Sequence, residues 1–254
     1  MAKVSNLSMK YGIISDIHGN LEALKVVLDY LKQVEKIDRF ICGGDIVGYG
    51  AKPNECIEIV RELDSCLTVA GNHDWAAIGL EDTSFFNPIA REAVEWTGRH
   101  LTEENRNYLR NLASGLKEND FMLVHGSPRD PINEYIFEQQ TFLANLPEIK
   151  KNICFVGHTH VPLCFYAKDS QEIDEVPLND GVVLGMQPLY KYLVNCGSVG
   201  QPRDGDPRAC IGIYDEKEKS VTIRRLEYDI GRTQQEILSA GLPAALALRL
   251  MYGR

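Results

Sequence analysis

Gly71-Asn72-His73-Asp74 stands directly after the apolar, β-branched run Cys66-Leu67-Thr68-Val69-Ala70. The run reads as a strand, so a strand ends on an amide, an imidazole and a carboxylate in consecutive positions. No packing requirement places that trio at a buried strand end. A metal site does, because an amide oxygen ligates hard or borderline cations. The neighbouring imidazole is then free to move a proton. Taken alone, the four residues also read as a polar turn with Gly71 supplying backbone freedom. Their surroundings decide between the two.

Upstream, residues 11–15 form a short apolar run, read as a strand, that ends at Asp16-Ile17-His18-Gly19-Asn20. Leu21, Leu24, Leu28 and Leu31, widened by Val27 and Val34, then recur at helical spacing. Residues 39–42 are the next strand, ending at Gly43-Gly44-Asp45, and a glycine-rich loop follows over 46–50. Pro53 opens a second helix running to about residue 63, at the turn where a missing N–H costs little. This β-α-β-α-β alternation predicts parallel strands with right-handed crossovers. In such sheets ligands sit beyond the carboxyl ends of the strands, which is where all three polar clusters fall.

Downstream, residues 75–116 read as mostly helical. Phe85, Phe86 and Trp96 there read as packing, with an aromatic lid over a base as the other reading. Residues 120–124 form a strand ending at His125-Gly126-Ser127-Pro128, and 153–156 one ending at Gly157-His158-Thr159-His160. Residues 163–166, 192–195, 210–214 and 221–226 read as short strands without helices between them, which predicts an antiparallel second sheet. Residues 171–189 read as a loop or hairpin excursion. The end is helical, broken at Gly241-Leu242 and restarting at Pro243.

The 254 residues are 44% hydrophobic and 25% charged, an ordinary globular balance. No shift in composition marks a boundary, so 1–254 is read as one domain, with 1–9 a disordered or extended N-terminal extension. A net charge of -9 argues against a general nucleic-acid or anionic-membrane binder. An anionic substrate then requires a local reversal of the field, which bound divalent cations supply. The first ten residues lack a sustained apolar core, so no signal peptide is expected, and no stretch is long and apolar enough to span a membrane. Seven cysteines, none in a C-x-x-C pair, read as free thiols in a reducing, cytoplasmic setting.

Five of the six histidines (His18, His73, His125, His158 and His160) directly follow predicted strands; only His100 does not. They share that position with Asp16, Asp45 and Asn72. Imidazole and carboxylate without thiolate suit zinc, manganese or iron and argue against a structural cysteine-zinc site. The donors exceed what one tetrahedral ion needs. Two ions about 3.5–4 Å apart, sharing a carboxylate, would use them, and that arrangement serves in-line displacement at phosphorus.

The set Asp16-x-His18, Gly44-Asp45-x-x-Gly48, Gly71-Asn72-His73-Asp74, Val124-His125-Gly126 and Gly157-His158-x-His160 resembles the calcineurin-like metallophosphoesterases, in that family's order. Within the family it is more similar to the bacterial and archaeal phosphodiesterase-like and diadenosine-tetraphosphatase-like branch. The late loop over 195–203 resembles one of that branch, with Cys196 where a proline usually stands; Gly241-Leu242-Pro243 and Arg249-Leu250 are similar to it as well. The resemblance implies an α/β fold, a four-layer α/β/β/α sandwich of two mixed sheets flanked by helices. It implies two divalent ions per chain, manganese first, with iron, zinc, nickel or cobalt as alternatives. Asp16, His18 and His160 would hold one, Asn72, His125 and His158 the other, with Asp45 bridging and His73 unligated near the scissile group. Two departures stand out. Phosphoprotein phosphatases carry Asp-Arg-Gly in the loop after the bridging aspartate, where this chain has Gly48-Tyr49-Gly50, and glutamate at the position of Asp74. A phosphate clamp is therefore missing, and Asp74 becomes the candidate for orienting His73.

The expected activity is hydrolysis of a phosphodiester or nucleotide (di)phosphate bond by a hydroxide bridging the ions, with His73 protonating the leaving oxygen. Ser198 and Arg203 are candidates for holding a substrate phosphate, and the expected partner is a small phosphate ester or nucleotide. The alternatives are a small-molecule phosphomonoesterase and a non-catalytic protein-binding scaffold on the same fold. A metallo-β-lactamase-type site would need His-x-His-x-Asp-His, but Val161-Pro162 follows His160.

Overall fold

A computed structural model of the chain describes residues 8–169 and 172–254. Strand β1 (Lys10–Ile14) shows how the layers arise. Successive side chains of a strand point to opposite faces. Tyr11 and Ile13 pack toward a second sheet, while Ile14 packs toward helices. Helices α1 (Leu21–Tyr30) and α2 (Pro53–Arg61) connect β1 to the parallel strands β2 (Arg39–Cys42) and β3 (Leu67–Thr68). A helical stretch follows: α3 (Asn72–Ala77), α4 (Pro88–His100) and α5 (Glu103–Arg110). Then come β4 (Gly115–Lys117), β5 (Phe121–Val124), α6 (Gln139–Asn145), β6 (Ile153–Val156), β7 (Leu163–Ala167), β8 (Ile173–Pro177), β9 (Val183–Gly185), β10 (Lys191–Asn195), β11 (Ala209–Asp215) and β12 (Ser220–Leu226). Helices α7 (Ile230–Ser239) and α8 (Ala244–Leu250) close the chain.

The strands form two mixed six-stranded sheets, ordered β3-β2-β1-β11-β12-β9 and β4-β5-β6-β10-β7-β8. Aromatic rings of Tyr11, Phe121, Phe155 and Tyr214 fill the space between the sheets. Helices α1 and α2 cover the outer face of the first sheet, and α6 covers that of the second through Phe142. The layers are therefore helix, sheet, sheet, helix, the expected sandwich.

Three expectations change. The late strands do not make a separate antiparallel sheet: β10 runs parallel to β6 inside the second sheet, while β11 and β12 extend the first. The reason lies in their burial. Tyr192, Leu193 and Val194 are all buried, as are Cys210, Ile211 and Ile213, so both faces of β10 and β11 are covered and both strands are central. The excursion over 171–189 supplies an edge strand to each sheet, β8 and β9; the exposed Asp174 and Glu175 suit β8 to an edge. The strand over 66–70 pairs as a strand only at Leu67–Thr68, and a helix already begins at Asn72. Of the extension expected over 1–9, residues 1–7 lie outside the described residues; Met9 exchanges main-chain and side-chain hydrogen bonds with Glu216. All seven cysteines are unpaired, six of them buried. Among the described residues no helix is long and apolar enough to cross a membrane.

Candidate metal centre

Asp16 and His18 follow β1, Asp45 follows β2, and Asn72 and His73 open α3 just after β3. His125 follows β5, and His158 and His160 follow β6. The carboxyl ends of both sheets thus deliver these eight side chains to one place, each at most 5% exposed. Five of the eight (Asp16, His18, Asp45, His158 and His160) have positive φ, between 50° and 67°. That region costs a non-glycine residue about 1–3 kcal/mol and persists only where the surroundings over-determine it. Glycine makes room twice. A Cβ on Gly71 would collide with the Asp45 carboxylate. One on Gly48, at φ 126°, would lie 2.7 Å from His73 Nδ1 and 2.8 Å from His18 Nδ1.

The inward atoms form two groups that share one residue. One ligand atom each from Asp16, His18, Asp45 and His160 lie within 4.8 Å of one another, and so do atoms from Asp45, His125 and His158. Asp45 Oδ2 is 3.6 Å from His18 Nε2 and 3.4 Å from His125 Nε2, so one oxygen faces both groups. Its other oxygen is fixed by the main-chain N–H of His73 at 2.9 Å. His18 Nε2 lies 3.1 Å from His160 Nε2, and His125 Nε2 lies 3.0 Å from His158 Nδ1 and 3.2 Å from Asn72 Oδ1.

The outward nitrogens explain why the inward ones are ligands in form. His18 Nδ1 faces Val47 O at 3.0 Å and His125 Nδ1 faces Gly43 O at 2.8 Å. His158 Nε2 faces Asn133 O at 3.1 Å and His160 Nδ1 faces Gln201 O at 2.6 Å. A carbonyl only accepts, so each of these nitrogens carries the N–H and the inward nitrogen presents a lone pair. Lone pairs converging at about 3 Å on carboxylates need a cation between them, and the donor set fits one.

The charges agree. Burial pushes the Asp16 carboxyl up to about 6. Burial also pushes His18, His158 and His160 well below the usual imidazole range. His125 departs: burial lowers it, but the Asp45 carboxylate outweighs burial and holds it at about 9. Asp45 thus draws positive charge to the place where the inward nitrogen of His125 faces it. Burial pulls in the opposite direction at Asp45, yet the surrounding imidazoles hold its carboxyl well below the usual range.

His73 lies beside this cluster. Its ring centroid is 4.9 Å from His18, 4.5 Å from Tyr49 and 5.0 Å from Phe86. Its Nδ1 is buried without a hydrogen-bond partner, and burial lowers the imidazole to about 4. Asp74 does not orient it. The Asp74 carboxylate accepts from Gly71 N at 3.0 Å and Val47 N at 3.1 Å, so it caps α3 and pins the loop after Asp45. Packing against Tyr49 and Phe86 places the His73 ring instead. Ser198 is corrected as well. Its hydroxyl, fully buried, donates to Asp16 O at 2.8 Å and accepts from Gln201 N at 2.8 Å, leaving nothing for a phosphate. Arg203 is half-buried, with Nη2 donating to Gln201 Oε1 at 3.0 Å and Tyr49 Oη at 3.3 Å.

Tyr49 and Tyr135 are wall residues that the one-dimensional pattern did not single out as part of the site, and Phe86, read there as packing or as an aromatic lid, joins them. They come from three separate segments and gain meaning only in three dimensions. A cavity of about 490 Å³ opens beside Asn72, His73 and His158, lined by Tyr49, Phe85, Phe86 and Tyr135 and by the acidic Glu81 and Asp82. The Tyr135 ring stacks on His158 at 3.6 Å.

Residues 9–219 match the model of the calcineurin-like phosphoesterase superfamily domain. The chain is 40% identical over 248 residues to an uncharacterized protein of Methanocaldococcus jannaschii, covering 95% of this chain and 97% of that one. The crystal structure of a metallophosphoesterase from Sphaerobacter thermophilus superposes with a TM-score of 0.88 at 44% identity, over 97% of this chain and 100% of that one. A symmetrical bis(5'-nucleosyl)-tetraphosphatase of Pasteurella multocida is 29% identical over 114 residues, 38% of this chain and 41% of that one. The strand-end aspartates and histidines, the two mixed sheets and these likenesses agree, and the chain belongs to the calcineurin-like phosphoesterase superfamily.

Proposed function

We propose that the chain is a metal-dependent phosphoesterase with a two-ion centre that cleaves a phosphodiester or nucleotide (di)phosphate bond. One observation carries this reading: four buried imidazoles, each tied outward to a main-chain carbonyl, aim lone pairs at shared carboxylates. Asp16, His18 and His160 would hold one divalent ion and Asn72, His125 and His158 the other, with Asp45 shared between them. Manganese is the expected metal, and iron, zinc, nickel and cobalt suit the same donors. When bound, such ions neutralise phosphoryl oxygens and lower the pKa of water toward neutrality.

The chain's own residues do the rest. The His73 N–H holds the Asp45 carboxylate in register. The His73 ring lines the cavity and hands a proton to the leaving oxygen. Burial keeps that ring neutral at rest, and an arriving phosphate opposes the shift by favouring its charged form. Phe85, Phe86 and Tyr135 offer faces to a flat organic group, while Glu81 and Asp82 repel phosphate from that end and leave it to the metal end. The partial likeness to a symmetrical bis(5'-nucleosyl)-tetraphosphatase supports a nucleotide as that group. Seven unpaired cysteines support a cytoplasmic setting.

The test joins elemental analysis to a screen of phosphate esters and dinucleoside polyphosphates with added manganese. Two ions per chain and turnover of diesters or polyphosphates are expected. Asp45→Asn should lower occupancy of both ions at once. Saturation at one ion with full activity would overturn the two-ion centre, and turnover confined to monoesters or phosphopeptides would overturn the substrate class.

A further inference from the structure

Two guanidinium groups converge on one buried ring beside the metal centre. Arg203 Cζ lies 5.7 Å from the Tyr49 ring centroid and Arg249 Cζ lies 5.8 Å from it. The same ring is 4.6 Å from that of His18 and 4.5 Å from that of His73. The arginines come from distant places, the loop after β10 and the helix α8. Among the described residues neither pairs with an acidic side chain, although the chain carries 36 of them. Arg203 meets only neutral groups, Gln201 and Tyr49, while Arg249 donates to the terminal main-chain oxygen of Arg254. Arg203 Nε is buried with no partner at all. Burial, and then the charge of Arg203, hold the Arg249 guanidinium below its usual value.

Two half-buried guanidinium groups at one ring repel each other and are poorly solvated, and Arg203 has no acidic partner to offset that cost. An anion placed between them relieves both costs, and guanidinium forks match phosphoryl oxygens. Their position also answers a departure in the sequence. The loop after Asp45 has Tyr49 where phosphoprotein phosphatases carry an arginine, and here the guanidinium function reaches the same neighbourhood from two other segments. The loop holding Arg203 is tied to the centre, because Arg203 N donates to His160 O and Gln201 O accepts from His160 Nδ1.

We infer that Arg203 and Arg249, flanking Tyr49, form a subsite for a second phosphoryl group of the substrate, adjacent to the one held at the metal centre. This rests on the proposed phosphoesterase reading and narrows it to substrates with at least two linked phosphoryl groups. Tyr49 also lines the aromatic cavity, so one substrate would meet the aromatic walls with a flat group and the two guanidinium groups at Tyr49 with its further phosphate.

The experiment is calorimetric binding to the manganese-loaded protein, freed of excess metal, with non-hydrolysable probes. Methylphosphonate carries one phosphoryl-like group and methylenediphosphonate carries two. Wild type should bind the diphosphonate at least about tenfold more tightly. Arg203→Gln and Arg249→Gln should each cut that advantage by about 10- to 100-fold, the scale of losing a hydrogen bond to a charged group. Arg249→Lys keeps the charge and should recover part of it. An adenosine α,β-methylene diphosphate arm separates a nucleotide source, which would bind tighter still, from inorganic diphosphate; with either probe the arginine variants should lose affinity, and variants that bind both as tightly as wild type would overturn the subsite. Equal affinity for the two phosphonates, or equal losses for both in the arginine variants, would overturn the subsite. Thermal melts identify a variant that fails to fold, and the other arginine's variants then decide. Because binding is read without turnover, a protein that hydrolyses no phosphate ester fails the enzymatic reading and leaves this measurement intact.

Discussion

Replacing His73 by alanine separates a ligand from a catalytic group. The ring is held by Tyr49, Phe86 and His18, and only its main-chain N–H touches Asp45. The variant should therefore keep its metal content and its fold while losing about 10²–10⁴-fold in rate, the usual yield of a positioned proton donor. The loss should grow as the leaving group worsens: small for nitrophenolate, larger for a leaving phosphate, largest for a ribose alkoxide. Rates for such a matched set, wild type against variant, are the measurement. An equal loss across the set would leave electrostatic stabilisation in place of proton transfer, and loss of one ion would make His73 a ligand. At this scale the sequence was informative for chemistry and silent on support. His73 stood out beside Asn72, but the rings that hold it come from residues 49 and 86, and Asp74, its neighbour in sequence, turned away to cap the helix.

The segment 127–135 is the element that aims His158. Its Asn133 carbonyl accepts from His158 Nε2, and Tyr135 stacks on the ring. Glu134 pins the segment: its carboxylate accepts from Ser127 Oγ at 2.5 Å, from Asn145 Nδ2 at 2.7 Å and from Arg129. Burial alone would raise this carboxyl, but those hydrogen bonds outweigh it and hold it at about 2. The folded value lies below the ordinary 4.5. The stabilisation is therefore complete above pH 4.5 and is lost as pH falls through about 2. Glu134→Gln should cost about 1–2 kcal/mol at neutral pH, and denaturant melts should find the two proteins converging over that acid range. The variant should also bind its metal about tenfold more weakly, as when any group that orients a ligand is removed. A constant stability gap down to pH 2 would place the effect in packing instead.

On the scale of the whole molecule, both sheets end at the same buried cluster, and that cluster carries unrelieved costs. Asp16 and Asp45 are fully desolvated, and five of the convergent residues sit at positive φ. Cations that bind this arrangement and not the unfolded chain stabilise it by mass action. Manganese at about a hundred times its Kd should add about 2.7 kcal/mol and raise Tm by about 5–10 °C for a chain of this size. Chelation should reverse the shift, and Asp45→Asn should show a smaller one. A melting curve indifferent to manganese and chelator would count against a metal centre in this cluster.

The sequence by itself determined the chemistry of the cluster and the strands that carry it. Asp16, His18, Asp45, Asn72, His125, His158 and His160 were legible because each follows an apolar run, and a strand's exit is a local property of the chain. The tertiary structure alone decided which sheet each late strand joins, since β10 and β11 are equally apolar and differ only in the neighbours that cover them. It alone turned Ser198 and Asp74 inward, each toward backbone groups that need a partner. It also brought Arg203 and Arg249 to Tyr49 across more than 150 residues, a meeting that only the closing of two sheets over one site arranges. Covalent order dictates what a segment can become; which segments share an ion, a ring or a charge depends on packing between parts far apart in the chain.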